Sequence, residues 1–396
     1  MRQLHDAHLS PEYLRYCAYF GILSPLYIAW NMIPVYLFLS GIRPLHIGVL
    51  YAIASLFELF VPYLIGHRFR NVNLNQVMAL DNLLSGVAYL CFATGHPWAF
   101  GVGLVLLRGA RSLGSVYETY SHCVFPEEQR VKARALFLAL PEASQAIAFL
   151  ALGVLLGVVY PHGSAFETVF FIMGLLSVAA TLLPLWWLPT KTGNVGMTTL
   201  NMRGQWSLVT KPIVVIDLLI YLAGCLVPMV VWTLFVVNTL RGTFLLVALV
   251  EIGASIGVMF AARFVSQANR ARDVALGLLL MGVTSIALIT QTTPTIMVLA
   301  YVVSSIGSTL WDPHHTDMLY ASVPAAEARR FFGSLGSAKK LVSLASLPIA
   351  TAILEIDGRI NYGLSAAFTI LALILYSSPL ANRLTDQGLE DISKGA

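Results

Sequence analysis

Twelve predominantly apolar stretches of about 20 residues follow one another along this chain. They lie at 14–38, 45–66, 76–94, 98–121, 133–159, 166–189, 211–237, 243–265, 274–291, 295–318, 336–355 and 361–380. The hydrocarbon layer of a bilayer is about 30 Å thick and a helix rises about 1.5 Å per residue, so each stretch is long enough to cross it. In lipid an open strand would leave backbone N–H and C=O groups without partners, which leaves helices as the spanning element. Composition agrees. AVILMFWYC residues make up 57% of the 396, and Asp, Glu, Lys and Arg together only 11%, against roughly 25% charged residues in a soluble domain. That is too little charge to cover a water-facing surface, which excludes a cytosolic enzyme, a nucleic-acid binder and a disordered scaffold. The expected fold is an all-α integral membrane protein.

The basic residues test this count independently. With the amino terminus inside, the loops and tails assigned to the cytoplasm, together with the inner ends of the adjoining spans, hold 19 of the 24 Lys and Arg, including Arg130, Lys132, Arg134, Arg263, Arg329, Lys339 and Lys340. The outer loops hold Arg43, Arg241 and Arg359, while Arg108 and Arg111 fall inside span four. This is the positive-inside bias, and it predicts a multi-pass protein of the cytoplasmic membrane with both termini cytoplasmic. The first 13 residues are polar, and the apolar run after them is too long for a signal-peptide core; it is expected to stay as the first span. The net charge of +4 is small and scattered. Cys17, Cys91, Cys123 and Cys225 lie in or beside apolar runs without paired spacing and read as packing residues.

The longest polar connection, 190–210, follows six spans. The expected organisation is an N-terminal six-helix bundle over 1–190, a linker over 191–210 and a C-terminal six-helix bundle over 211–396. A search for duplication finds residues 112–122, SLGSVYETYSH, in span four and residues 305–315, SIGSTLWDPHH, in span ten. Ser112, Gly114, Ser115 and His122 match Ser305, Gly307, Ser308 and His315, and Leu113 faces Ile306. Arg43 with Arg241 and Pro126 with Pro324 repeat at a slightly longer offset.

With these features the chain resembles the major facilitator superfamily of secondary transporters. Between spans two and three the family usually carries G-x-x-x-D-R-x-G-R-R; here Gly66, His67, Arg68 and Arg70 keep the arginines but place a histidine at the aspartate position and omit the second glycine. The resemblance implies that this loop is a cytoplasmic gate. Arg108 and Gly114 fit the span-four pattern R-x-x-x-G-x-G, with Ser112 at the first glycine; the antiporter signature of span five is reduced to Gly153 and Gly157. The resemblance further implies twelve helices in two pseudo-symmetric bundles, with spans one, four, seven and ten lining a central cavity.

An arginine at mid-membrane costs about 2.5–3.5 kcal/mol on insertion scales and usually faces a bundle interior. At about 100° per residue, Arg108, Arg111, Ser115, Glu118 and His122 share an arc of about 80°, and Tyr301, Ser304, Ser308, Asp312 and His315 share a similar one. Both stripes are expected to meet a cavity, with Trp30, Asn31 and Trp232 as further walls. The alternative is structural: interhelical hydrogen bonds, and an ion pair of Arg111 with Glu118 or of Arg108 with an acid on another span. His314 and Asp317 point away from the arc and read as interfacial. Glu251 lies near mid-membrane. A carboxyl that meets a dry setting and a nearby arginine in turn would bind and release a proton; Glu118, Glu251 and Asp312, with Arg108 as the modulating cation, are the candidates. Glu58, Asp81 and Asp217 read as packing acids near the inner face.

The functional expectation is a proton-coupled secondary transporter for a small organic, amphipathic solute, exporting rather than importing. A second reading is a transition-metal or metal-chelate carrier, resting on the i, i+3 pair Asp312 and His315. A third, an intramembrane enzyme, finds no nucleophile, phosphate-loop or metal-hydrolase motif. The expected partners are a small-molecule substrate, protons and bilayer lipid, without nucleic acid or cofactor, for a chain working as a monomer.

Overall fold

The structure, a computed structural model, describes residues 10–65, 71–124, 130–160, 163–193, 212–265, 270–291, 293–321 and 325–377. The loop residues Gly66, His67, Arg68 and Arg70 and most of the 191–210 linker lie outside the described residues. Among the described residues nine helical segments are long and apolar enough to cross a membrane: Pro11–Leu39, Leu74–Ala93, Pro141–Val159, Gly163–Trp186, Pro212–Thr239, Phe244–Ala261, Arg270–Thr290, Pro294–Thr316 and Ala338–Tyr376. The other spans expected from sequence are present in altered form. Span two is the helix Pro44–Ile65, whose apolar part, Pro44–Glu58, is shorter. Span four is divided into Pro97–Ser112 and Ser115–Val124. Spans eleven and twelve form one run, Ala325–Tyr376, bent at Asp357, where φ −160° and ψ 113° are not helical.

Each interruption has a local cause. In span one a 3-10 stretch, Ser24–Ile28, carries Pro25, which has no N–H to continue the helix ladder. The Ser24 hydroxyl turns to the Pro141 carbonyl (3.0 Å) and to Ser144 (2.5 Å) on span five. In span four the bonds Leu113 N–H to Ala110 O and Gly114 N–H to Arg111 O are i to i−3 contacts, the tighter 3-10 pattern. At the last bend Asp357 caps the final helix by accepting from the Arg359 N–H at 2.9 Å. Asn361 donates to the Ala350 carbonyl at 2.9 Å and joins the two sides of the bend.

The chain divides into two compact units. One comprises Met1–Arg43, Val49–Thr199 and Thr243–Ala248, the other Pro44–Gly48, Leu200–Gly242 and Leu249–Ala396. The core of the first is aromatic: Tyr16, Tyr19 and Tyr120 are buried with Leu74, Met78 and Val116. Tyrosines here also satisfy buried polar groups of span three. The Tyr117 hydroxyl donates to Asp81 at 2.5 Å, and Asn82 donates to the Tyr19 hydroxyl at 3.0 Å and the Ala180 carbonyl at 3.3 Å. A short antiparallel pairing, Val72–Asn73 with Thr192–Gly193, joins the start of span three to the segment after span six. Asn75 reinforces it, donating to the carbonyls of Pro184, Leu188 and Pro189 and accepting from the Lys191 N–H.

The core of the second unit gathers Ile216, Ile220, Val274, Leu278, Trp311 and Met318. In both units glycine lets two helices touch through their backbones. A Cβ on Gly86 would lie 2.9 Å from the Val178 nitrogen and 3.0 Å from the Gly174 carbonyl oxygen; one on Gly277 would lie 2.6 Å from the Gly307 carbonyl oxygen, and one on Gly307 2.7 Å from that of Gly277. Without hydrophobic drive between helices in lipid, such close packing is a main source of association.

Candidate functional site

Charged constellations occur within the spans of both units. In the first unit Arg108, on the first half of span four, donates to Glu58 of span two at 3.2 Å. Both side chains are mostly buried, 14% and 15% exposed. The Arg108 guanidinium also lies 5.6 Å from the Trp30 ring centre and 5.4 Å from that of Tyr51, and Arg111 lies 5.4 Å from Trp30. Two like charges one turn apart are thus offset by one carboxylate and two π faces. The ion-pair alternative read from sequence is the arrangement observed for Arg108: its acid stands on another span. Arg111 is exposed, and Asn31 is buried. The side chains of Ser115, Glu118 and His122 lie outside the described residues. The 80° arc assumed an unbroken helix from 108 to 122, and the turn at Leu113–Gly114 interrupts it.

In the second unit a cavity of about 550 Å³ opens among spans seven, nine, ten, eleven and twelve. That volume suits a drug-sized solute. Tyr301, Ser304 and Asp312, three members of the span-ten stripe, line it together with Trp311, Tyr221 and Lys339. Thr284, Ser285, Ser343, Ser365, Thr369 and Asp217 complete the polar part of the wall. Ser308 instead bonds the Ser305 carbonyl of its own helix at 3.1 Å. Trp232 packs against the Tyr301 ring, 5.2 Å between centroids.

His315, the last member of that stripe, is 2% exposed. Its Nε2 lies 3.3 Å from Asp217 Oδ1, its ring stacks on Trp311 at 4.5 Å, and the Lys339 ammonium reaches the other Asp217 oxygen at 2.5 Å. Lys339 in turn lies 5.3 Å from the Tyr221 ring centre. Asp217 therefore does more than pack: it joins spans seven, ten and eleven in a largely buried three-member cluster. Lys339, grouped with the inner loops by the sequence, belongs to this cluster. The adjacent His314, read from sequence as pointing away from the stripe, is also packed inside the unit. It is 3% exposed and faces Asp273 of span nine at 3.4 Å, while Arg272 reaches the same carboxylate at 3.0 Å. Consecutive histidines on one helix thus meet carboxylates on two different neighbours.

Glu251 is partly buried on span eight. Among the described residues no group of three or more His, Cys, Asp or Glu side chains is placed to hold a metal ion. Cys17 and Cys225 are buried as expected of packing residues, but Cys123 is exposed, and no disulfide joins the four. Sequence periodicity found Tyr301, Ser304 and Asp312. It missed Tyr51 and Lys339 and read Glu58 and Asp217 only as packing acids, because each meets its partner on a different span.

No family model matches the sequence, and no curated protein matches it significantly. Solved structures do match. The nucleoside transporter NupG superposes with a TM-score of 0.66 at 12% identity, covering 92% of this chain and 98% of that one. An auto-inhibited peptide transporter of the POT family gives 0.65 at 11% identity over 94% and 97%. The human organic anion transporter MFSD10 (TETRAN) gives 0.60 at 14% identity over 92% and 99%. These full-length likenesses identify the fold: it is that of the major facilitator superfamily.

Proposed function

We propose that this chain, with its major facilitator fold, is a secondary active transporter. It moves a small organic, amphipathic solute across the membrane by alternating access coupled to protons, in the direction of export. One observation carries the reading: a cavity of about 550 Å³ inside a spanning unit, walled by charged, hydroxyl and aromatic side chains. A chain with so few charges does not bury several around an opening for packing alone, since each is costly in lipid and such residues mark solute and ion pathways.

The six-helix halves divide at the 191–210 linker, and both termini face the cytoplasm in accord with the distribution of Lys and Arg. Asp312 on the cavity wall, Glu251 on span eight or Glu118 on span four is the carboxyl that takes up and releases the proton. Arg108, held by Glu58, is the cation that tunes the first unit.

The test is transport by purified protein in vesicles with an imposed pH gradient. Solute accumulation is expected to collapse on adding a protonophore, and Asp312→Asn, Glu251→Gln or Glu118→Gln is expected to uncouple it. Full gradient dependence in all three variants would end the proton assignment. Product formation insensitive to the protonophore would favour an intramembrane enzyme.

A further inference from the structure

We infer that Arg108 and Arg111, bracketing Trp30 in the first unit, bind the carboxylate of a small organic acid in competition with the carboxylate of Glu58. The inference rests on the transporter reading and names the chemical class of its solute. Two guanidinium groups lie one helical turn apart on span four, 5.6 and 5.4 Å from the same indole ring centre. Like charges so placed repel one another, and an aromatic face offsets a cation by only about 0.5–1 kcal/mol at an exposed site. Arg108 has Glu58 at 3.2 Å. Among the described residues no carboxylate forms an ion pair with Arg111, which is exposed. The other described acids of these spans are engaged, Asp81 by Tyr117, Glu167 by Tyr36, and Glu142 as well.

Two donors in the same cluster lack an acceptor. The Arg108 Nε–H and the Tyr51 hydroxyl are both buried without a hydrogen-bond partner, and the 0% exposed Tyr51 has its ring centre 5.4 Å from the Arg108 guanidinium. Each such donor costs about 1–3 kcal/mol, which an incoming acceptor relieves. Arg108 gives Nη1 to Glu58, so its Nε edge is the one left for a second carboxylate, and arginine forks match that group with paired N–H···O bonds. The exposed Arg111 marks the open side of the cluster. Depth selects the source of the anion. Arg108 lies about 16 Å along the helix that starts at Pro97, near half of a hydrocarbon layer about 30 Å thick. A lipid headgroup stays at the interface, whereas a soluble acid that enters the transport path reaches this level. Trp30 and Tyr51 offer planar apolar surface beside the charge, which favours an acid with an aromatic body over an inorganic anion.

Glu58 is the internal rival. It meets Arg108 from span two, and a solute carboxylate adds a like charge beside it. The two therefore disfavour one another, and by linkage each weakens the other by the same factor. Removing the Glu58 charge leaves both guanidinium groups to the solute. A soluble carboxylate should then restore stability that Glu58→Gln loses, a rescue that a purely packing role for the pair would not produce.

Benzoate and its neutral isostere benzamide test this on the full-length protein in phosphatidylcholine nanodiscs at fixed ionic strength, by calorimetric titration and by thermal unfolding. Benzoate is expected to bind and to raise the unfolding midpoint, and benzamide to do neither. Arg111→Gln, at an exposed position, should weaken benzoate binding about tenfold or more, the size of one charge-assisted contact. Glu58→Gln should bind benzoate at least about fivefold more tightly, and saturating benzoate should raise its midpoint by more than that of the unaltered protein. Phosphatidylglycerol added to the disc should leave benzoate affinity unchanged; displacement of benzoate would assign the site to a lipid headgroup and overturn the inference. Benzamide binding equal to that of benzoate, or full benzoate affinity in Arg111→Gln, would overturn it as well. The latter is the result expected if Glu118, whose side chain lies outside the described residues, already neutralises Arg111. Benzoate binding without vesicle transport would sustain this site and remove the transporter reading; coupled transport of other solutes by a protein that does not bind benzoate would do the reverse.

Discussion

Among individual residues, the Arg108–Glu58 pair sets the clearest expectation. Removing one member of a largely buried ion pair leaves the other uncompensated, a loss of roughly 3 kcal/mol or more. Glu58→Gln should therefore lower the midpoint of thermal unfolding in detergent markedly, and Arg108→Met combined with Glu58→Met should recover part of the loss. A double variant no more stable than Glu58→Gln would mean that the pair is not the source of the effect. The sequence exposed these residues unevenly. Arg108 announces itself because an arginine in an apolar run needs an explanation. Glu58 does not, since its partner lies 50 positions away and no local spacing links them. Asp217 and Lys339 are hidden for the same reason, whereas Tyr301, Ser304 and Asp312 share one helix face and helical periodicity suffices to align them.

Spans and bends raise a different issue: the repeated motif in spans four and ten is used in two ways. Gly114 sits where span four turns through 3-10 bonds. Gly307 lies within the continuous helix Pro294–Ala321 and brings its backbone against Gly277. Identical letters thus predicted equivalent helices, while the bend came from hydrogen bonding that a periodicity argument takes as uniform. Gly307→Val should be poorly tolerated, because its side chain would meet backbone rather than a movable side chain. Overpacking of this kind costs about 1–3 kcal/mol, visible as a lower unfolding temperature and reduced yield of monodisperse protein. Gly101, with open space around its Cβ position, is the control and should accept alanine without such loss. At the junction of the last two spans Asp357→Ala should cost about 1 kcal/mol through loss of the cap, and Asp357→Asn about nothing. Apolar run lengths had separated spans eleven and twelve; that the chain joins them through a capped bend rather than a loop was not visible in composition.

For the whole molecule, twelve apolar runs and the scarcity of charge made the fold legible, since the bilayer admits few alternatives for such a chain. The solute was less legible, because a cavity depends on side chains of five spans converging, and sequence orders each span separately. The account's central claim is that the polar cavity serves proton-coupled passage of a small organic solute. It is tested most directly by sealed vesicles holding the purified protein and an acidic interior, with a fluorescent reporter of luminal pH. Amines, organic acids, nucleosides, peptides and sugars are added outside in turn. The account predicts that at least one class discharges the gradient through the unaltered protein and fails to do so through Asp312→Asn. A folded, reconstituted protein that discharges the gradient with none of them, or does so equally well without Asp312, would contradict it.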